Sequence, residues 1–204
     1  MVHDGLWDIY NDFHMGISND LCSEKYGVSR EDQDRYAEMS YNRALEALSA
    51  GRFDAETMAV AAKGKKGKTT EFARDENPRP TDFETLSKMP PAFQKQGVAT
   101  AGNASIISDG AAAVVVMSRE KAEKLGCEIL ATIGAQAAAG IDMKYVLMAP
   151  IYAIPRCLKK EGKGLADIDL FEINEAFSGS TVAVLRELSL DTDKVNVNGG
   201  SVAL

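Results

Sequence analysis

The clearest periodic pattern in the chain runs from Ser29 to Gly51 (SREDQDRYAEMSYNRALEALSAG). Tyr36, Met39 or Ser40, Arg43 or Ala44, and Ala47 or Leu48 recur at helical spacing, which predicts one buried stripe. Ser29 with Asp32 three residues on forms a capping-box-like start, acidic residues fill the first turn, and Gly51 ends the helix. Beyond it, Thr57 to Ala61 and Thr69 to Phe72 flank the run KGKKGK, a pattern for a hairpin with a solvated tip. Asp75 to Pro91 (DENPRPTDFETLSKMPP) carries four of the six prolines and predicts a long irregular connection, a segment type that is often functional when ordered.

The second half has a different pattern. Ala111 to Met117 (AAAVVVM) is an unbroken apolar run, which predicts a strand buried on both faces. Ser118 caps a short helix ending at Gly126, and Glu128 to Gly140 predicts a strand running into small residues. Pro155 suits the first turn of a helix that reaches Gly162. Leu165 to Ile173 predicts a strand, Ala176 to Leu188 a helix, and Val195 to Val197 a last strand before the turn Asn198-Gly199-Gly200. Strands alternating with helices predict a layered α/β fold with a largely buried sheet, preceded by a helix-and-loop first half.

Composition narrows the class. With 45% apolar and 26% charged residues in 204, the chain is an ordinary globular sequence with material for one sizeable core or two small ones. No window holds the roughly 18 uninterrupted apolar residues of a membrane span, and the N-terminal stretch lacks a basic region followed by an apolar one. A net charge of −7 disfavours nucleic acid. Cys22, Cys127 and Cys157 are scattered and odd in number, which fits neither a disulfide framework nor a clustered zinc site and predicts a reducing, cytoplasmic setting. Only His3 and His14 are available for histidine chemistry.

Local motifs admit two readings each. Ile173-Asn174-Glu175-Ala176-Phe177 falls at a predicted strand-to-helix junction, where α/β sheets bind ligands, but Asn174 also suits a helix cap. His14, in DFHMG, is either a ligand-facing or an ordinary packed residue. Thr100 to Ser105 (TAGNAS) is either a structural turn or a place where a ligand passes close to backbone. KGKKGK lacks the spacing of a phosphate-binding loop.

Read in order, these segments acquire a shared meaning. Phe13 to Gly16 (FHMG), Asp75 to Arg79 (DENPR), Pro91 to Ala113 (PAFQKQGVATAGNASIISDGAAA), Asp169 to Phe177 (DLFEINEAF) and Val195 to Gly200 (VNVNGG) together resemble the thiolases, the acetyl-CoA acyltransferases. The resemblance covers the chain in family order. It implies a thiolase-like layered α/β fold, present in part: a loop domain covering coenzyme A (1–107), the end of the N-terminal core half (108–126), and most of the C-terminal core half (127–204). It implies Claisen condensation of two acetyl-CoA or thiolysis of a 3-ketoacyl-CoA, chemistry that needs an activated thiolate, a base at the α-carbon and donors aimed at an enolate oxygen.

The resemblance also assigns residues. Leu6 matches a position beside the nucleotide part of coenzyme A, and Arg79 one near its adenine and phosphate end. His14 and Met15 line the pantetheine tunnel. Phe93, Ala101 and Ser105 wall it, with the Ser105 hydroxyl as a hydrogen-bond donor. Ala176 and Phe177 close over the acyl end, and Asn174 matches the asparagine that holds a water in the oxyanion hole. No metal and no permanently bound cofactor is implied; acyl-CoA is the substrate, and the partners are further copies of the chain in a dimer or tetramer. In the family the nucleophilic cysteine lies upstream of the HMG segment, the catalytic histidine follows N-V-N-G-G in a G-H-P motif, and a second cysteine lies beyond. Cys22, Cys127 and Cys157 match none of these and read as structural, so the resemblance implies an internal portion of a thiolase that is inactive alone. A non-catalytic coenzyme A-binding or dimer-partner protein is the competing expectation. Val146-Leu147-Met148 before Pro150, and Ile106 after GNAS, depart from the family pattern near the acyl chain.

Overall fold

A computed structural model describes residues 1–63 and 68–204; the centre of the KGKKGK tip lies outside the described residues. The chain opens with a single helical turn, α1 (Val2–Gly5), and a minimal hairpin, β1 (Trp7–Asp8) with β2 (Phe13–His14), in which Trp7 pairs with His14. Two helices follow, α2 (Met15–Lys25) and α3 (Arg30–Ser49). The start of α3 is the predicted capping box. The Ser29 hydroxyl accepts from the Asp32 backbone N–H at 3.1 Å, and the Asp32 carboxylate accepts from the Ser29 N–H at 2.9 Å. Tyr36, Ser40, Ala44 and Ala47 are buried as predicted, and Gly51 takes the positive φ of +68° just past the helix end.

The predicted hairpin forms as β3 (Val60–Lys63) with β4 (Thr69–Phe72), Lys63 opposite Thr69. The 75–91 connection is less irregular than its prolines suggest. Asp82 caps a short helix, α4 (Phe83–Ser87), by accepting from the Thr85 N–H at 2.8 Å, and Leu86 from that turn is buried against α3. The Ser118-capped helix is α5 (Arg119–Leu125), closed by Gly126 in the left-handed region. A 3-10 segment, Met143–Met148, leads into α6 (Pro150–Glu161). Here Pro150, not Pro155, occupies the first turn; Pro155 sits inside the helix, and the end at Gly162 is as predicted. The last helix is α7 (Ser178–Glu187).

Four predicted strands do not form as strands. Ala111 to Met117 and Glu128 to Gly140 run as irregular chain, with Val114 and Val115 each 85% exposed and Leu130 89% exposed. Apolar pattern marks a segment for a sheet interior, but a strand exists only when a neighbour takes its N–H and C=O groups. Among the described residues no such neighbour pairs with either segment. Side chains of α6 meet the second instead: Arg156 and Lys160 donate to the Ala138 and Gln136 carbonyls, and Glu161 accepts from the Ala135 N–H.

Among the described residues the third and fourth, Leu165 to Ile173 and Val195 to Val197, form a single backbone bridge, parallel, between Phe171 and Val195. Asn196 explains why the ladder stops. Its φ of +48° turns the backbone out of the extended region, and its side chain completes the pairing, Oδ1 accepting from the Ile173 N–H and Nδ2 donating to the Ile173 carbonyl, both at 2.8 Å.

The core has three parts. Cys22, Tyr36, Met148, Val182, Val184, Leu185 and Val195 form the largest, between α2, α3 and α7. Ala37, Tyr41, Ala44, Leu86, Val202 and Ala203 form a second on the other side of α3. Ala99, Ala104 and Phe177 form a third, small one, with Met15, Phe93, Leu147 and Ala176 against it. This third cluster holds four of the predicted site residues, Met15, Phe93, Ala176 and Phe177.

Candidate functional site

The site begins with His14, the N-cap of α2. Its Nδ1 accepts from the Gly16 N–H at 3.0 Å, which requires that nitrogen to be unprotonated and places the proton of the neutral ring on Nε2. Burial pushes its pKa below the ordinary histidine value. His14 is therefore a neutral ring at pH 7. Its face stacks on Phe93 with ring centres 4.5 Å apart, and Phe93 in turn meets Phe177 edge-on at 5.7 Å. Gly16 is obligatory beneath this stack, because a Cβ there would collide with the Phe93 ring. Leu6 joins through its carbonyl, which accepts from the Met15 N–H at 2.9 Å.

Two buried carboxylates hold the loop that carries Phe93 and Ser105. Asp20 accepts from the Val98 and Ala99 N–H groups, both at 3.0 Å, and from the Gln94 side chain at 2.7 Å. Asp34, fully buried and paired with Arg30 at 2.7 Å, accepts from Asn103 at 2.9 Å; Asn103 then accepts from the Thr100 N–H at 2.7 Å. The Thr100 to Ser105 stretch is thus a braced turn. Its end runs beside the residues entering α7, with the Ser105 N–H donating to the Ala176 carbonyl at 3.1 Å and the Ser178 N–H to the Asn103 carbonyl at 2.9 Å. Ala176 and Phe177 pack in one cluster with Met15 and Phe93, Phe93 stacks on His14, and Ser105 is tied to the cluster through its backbone.

Asn174 lies at the mouth of the same junction. It is exposed and does not cap α7, whose N-cap is Phe177; its Oδ1 accepts from the Ser201 hydroxyl at 3.0 Å. Its neighbour Glu175 points the other way and is 1% exposed. Four donors converge on that carboxylate: the Tyr36 hydroxyl (2.9 Å), the Ser40 hydroxyl (2.7 Å), Asn196 Nδ2 (2.9 Å) and the Val202 N–H (3.1 Å). Burial, reinforced by the Glu175 charge, raises the Tyr36 hydroxyl pKa and keeps it protonated as a donor. Gly200 passes so close to Glu175 that a Cβ would strike the carboxylate, and Gly199 at φ +84° presses on Ala44 and the Ser40 carbonyl.

The remaining predicted residues lie elsewhere. The Arg79 guanidinium sits 5.8 Å over the Tyr41 ring, beside the second core cluster, and Ala101 is exposed in the turn next to Gly102, which packs on Leu86 and Met89. Cys22 is fully buried, and burial pushes its thiol up to about 11, so it is no nucleophile at neutral pH. Cys127 is exposed, and the Cys157 thiol donates to the Ala135 carbonyl at 3.0 Å. Among the described residues no group of His, Cys, Asp and Glu gathers as a metal site. No helix among them is long and apolar enough to cross a membrane.

Sequence reasoning named Asn174 but not Glu175, Asp20, Asp34, Asn196 or Ser201. Arg30 and Asp34 at i,i+4 were a readable pair. The other four act through contacts distant in sequence, which no local pattern announces.

This arrangement, a cluster of packed aromatic rings beside an exposed asparagine, belongs to a known fold. The thiolase N-terminal domain matches residues 1–120 and the thiolase C-terminal domain residues 127–204, so the chain belongs to the thiolase family. It is 47% identical to an acetyl-CoA acetyltransferase of Pseudomonas aeruginosa over 205 aligned residues, covering 100% of this chain and 52% of the relative. A probable acetyl-CoA acyltransferase of Staphylococcus aureus is 45% identical, with the same coverage. Among solved structures, the acetyl-CoA acetyltransferase of Bacillus anthracis superposes with a TM-score of 0.95 at 42% identity, over 98% of this chain and 50% of that one. Human mitochondrial 3-ketoacyl-CoA thiolase gives 0.93 at 40% identity, over 98% and 51%. The chain thus spans about half the length of the relatives it matches.

Proposed function

We propose that this chain is the coenzyme A-holding portion of an acetyl-CoA C-acyltransferase, which condenses two acetyl-CoA to acetoacetyl-CoA and CoA or cleaves a 3-ketoacyl-CoA in reverse. The observation that carries the reading is the packing of His14, Met15, Phe93, Ala176 and Phe177 in one cluster, to which Leu6 and Ser105 are tied through backbone hydrogen bonds, with exposed Asn174 close by in the chain. An apolar wall with a neutral ring N–H suits the uncharged pantetheine arm. Asn174 supplies a polar group near the acyl end, through a water, for the charge that develops on a thioester oxygen. Arg79, over the Tyr41 ring, serves the nucleotide end of the ligand, and Ala101, exposed in the turn before Gly102, the pantetheine wall.

Residues 1–107 act as the covering loop domain, 108–126 as the end of one core half and 127–204 as part of the other. The 204-residue chain alone does not turn over, since its buried thiol, Cys22, is held protonated and neither Cys127 nor Cys157 belongs to the cluster around His14. The working enzyme is a homodimer or homotetramer in the cytoplasm. The test is to supply pure chain with CoA and acetoacetyl-CoA. Saturable CoA binding without cleavage supports the proposal; cleavage above background overturns the inactivity, and absence of binding overturns the coenzyme A assignment.

A further inference from the structure

An exposed carboxamide can swing about its side-chain torsions, and an asparagine serves a ligand reliably only where a neighbour holds it. In this chain the neighbour is Ser201. We propose that Ser201 is a positioning residue whose hydroxyl ties down the Asn174 carbonyl oxygen and leaves the Asn174 NH2 presented to the acyl-CoA. The assignment of acyl-CoA as what it faces rests on the reading above; the brace itself rests on geometry.

The Ser201 Oγ donates to Asn174 Oδ1 at 3.0 Å. Ser201 is itself held from both sides. The Gly200 N–H donates to the Ser40 hydroxyl at 3.1 Å, the Val202 N–H donates to Glu175 at 3.1 Å, and the Ser201 carbonyl accepts from the Ile106 N–H at 3.0 Å. Because Glu175 adjoins Asn174 in the chain, the links close a small ring: Asn174, Glu175, the Val202 N–H, Ser201 and back through its hydroxyl to Asn174. The buried carboxylate fixes the distance between the two backbone segments, and the hydroxyl uses that fixed distance to hold the Asn174 side chain in place. A residue without a hydroxyl at 201 would keep the ring's backbone half and lose the orientation. Ile106, directly after the GNAS turn, is tied to the same ring, so the wall carrying Ser105 and the Asn174 amide move as one body.

The test is side-chain amide NMR on the isotopically labelled 204-residue chain, with the Asn174 NH2 pair assigned by its disappearance in Asn174→Asp. In the unsubstituted chain the pair is ordered. In Ser201→Ala its order parameter falls below about 0.6, while the backbone signals of Ile106 and Val202 stay in place, and Ser201→Thr restores it. An Asn174 amide equally ordered in Ser201→Ala overturns the proposal. So does a failure of threonine to restore order in a chain whose backbone spectrum is native. Acetyl-CoA added to the unsubstituted chain shifts the Asn174 pair. If it does not, the acyl-CoA reading of the site fails, while an ordered, Ser201-dependent amide in the same sample upholds the brace.

Discussion

Replacing Glu175 by glutamine changes one oxygen to NH2 at a site where four donors already point inward. The donors are paired two per oxygen. Tyr36 and Asn196 address Oε1, and Ser40 and the Val202 N–H address Oε2. If the glutamine NH2 replaces Oε2, the Ser40 hydroxyl can rotate to accept, but the Val202 N–H cannot and becomes a buried orphan. If it replaces Oε1, Tyr36 can rotate, and one of the two Asn196 N–H groups loses its acceptor while the other keeps the Ile173 carbonyl. Either way one buried donor goes unsatisfied, at about 1–3 kcal/mol, and the bonds that remain lose the roughly twofold strength of a charged acceptor. The expected loss is about 2–4 kcal/mol. For a domain of this size that lowers the thermal midpoint by roughly 5–15 °C. The assay is paired urea and thermal unfolding followed by circular dichroism, with Tyr36→Phe as a companion that removes one donor and costs about 1.5 kcal/mol. The double substitution should cost less than the sum, because the two share one network. A Glu175→Gln chain within 0.5 kcal/mol of the parent, or strict additivity with Tyr36→Phe, would refute the view that this carboxylate organises the junction.

Three further outcomes follow from the geometry. An alkylating reagent at pH 8 should label exposed Cys127 first and Cys22 only after denaturation, since a thiol pushed up to about 11 holds about a hundredfold less thiolate than one at 9.0; rapid labelling of Cys22 in the native chain would contradict its placement. His14 should titrate below 6.5, because protonating Nδ1 breaks its bond from Gly16 and charges a partly buried ring. Below that pH the unfolded chain takes up the proton before the folded one, so stability falls as pH drops from 6.5 through the folded midpoint, and His14→Gln should flatten that slope. A folded midpoint at or above 6.5 by NMR would exclude the arrangement. Phe93→Ala should lower folding stability by about 1–3 kcal/mol from its two aromatic contacts alone, at about 0.5–1.5 kcal/mol each, as read by urea unfolding; an unchanged midpoint would contradict the packing of this cluster.

How far the sequence carried depended on how local the cause was. The capping box at Ser29, the stop at Gly51 and the Ser118 to Gly126 helix each depend on residues within a few positions, and each formed as read. Ala111 to Met117 failed for the opposite reason: its pattern describes a destination in a sheet, and the pairing that makes a strand lies in other segments. Val195 to Val197 was read as a strand because Val-Asn-Val alternates, whereas Asn196 turns its backbone aside and pairs through its side chain. In the site, the motif around Asn174 was legible as a motif, but the division of labour was not. Asn174 is exposed, while Glu175 beside it does the holding through partners more than twenty residues away along the chain.

The most direct test of the central claim is chemical-shift mapping of CoA on the labelled 204-residue chain. The account predicts saturable shifts at Leu6, His14, Met15, Phe93, Ser105, Ala176 and Phe177, with Cys127, Cys157 and the α6 surface unmoved. Shifts confined to α6, or none at these seven residues up to millimolar CoA, would contradict it.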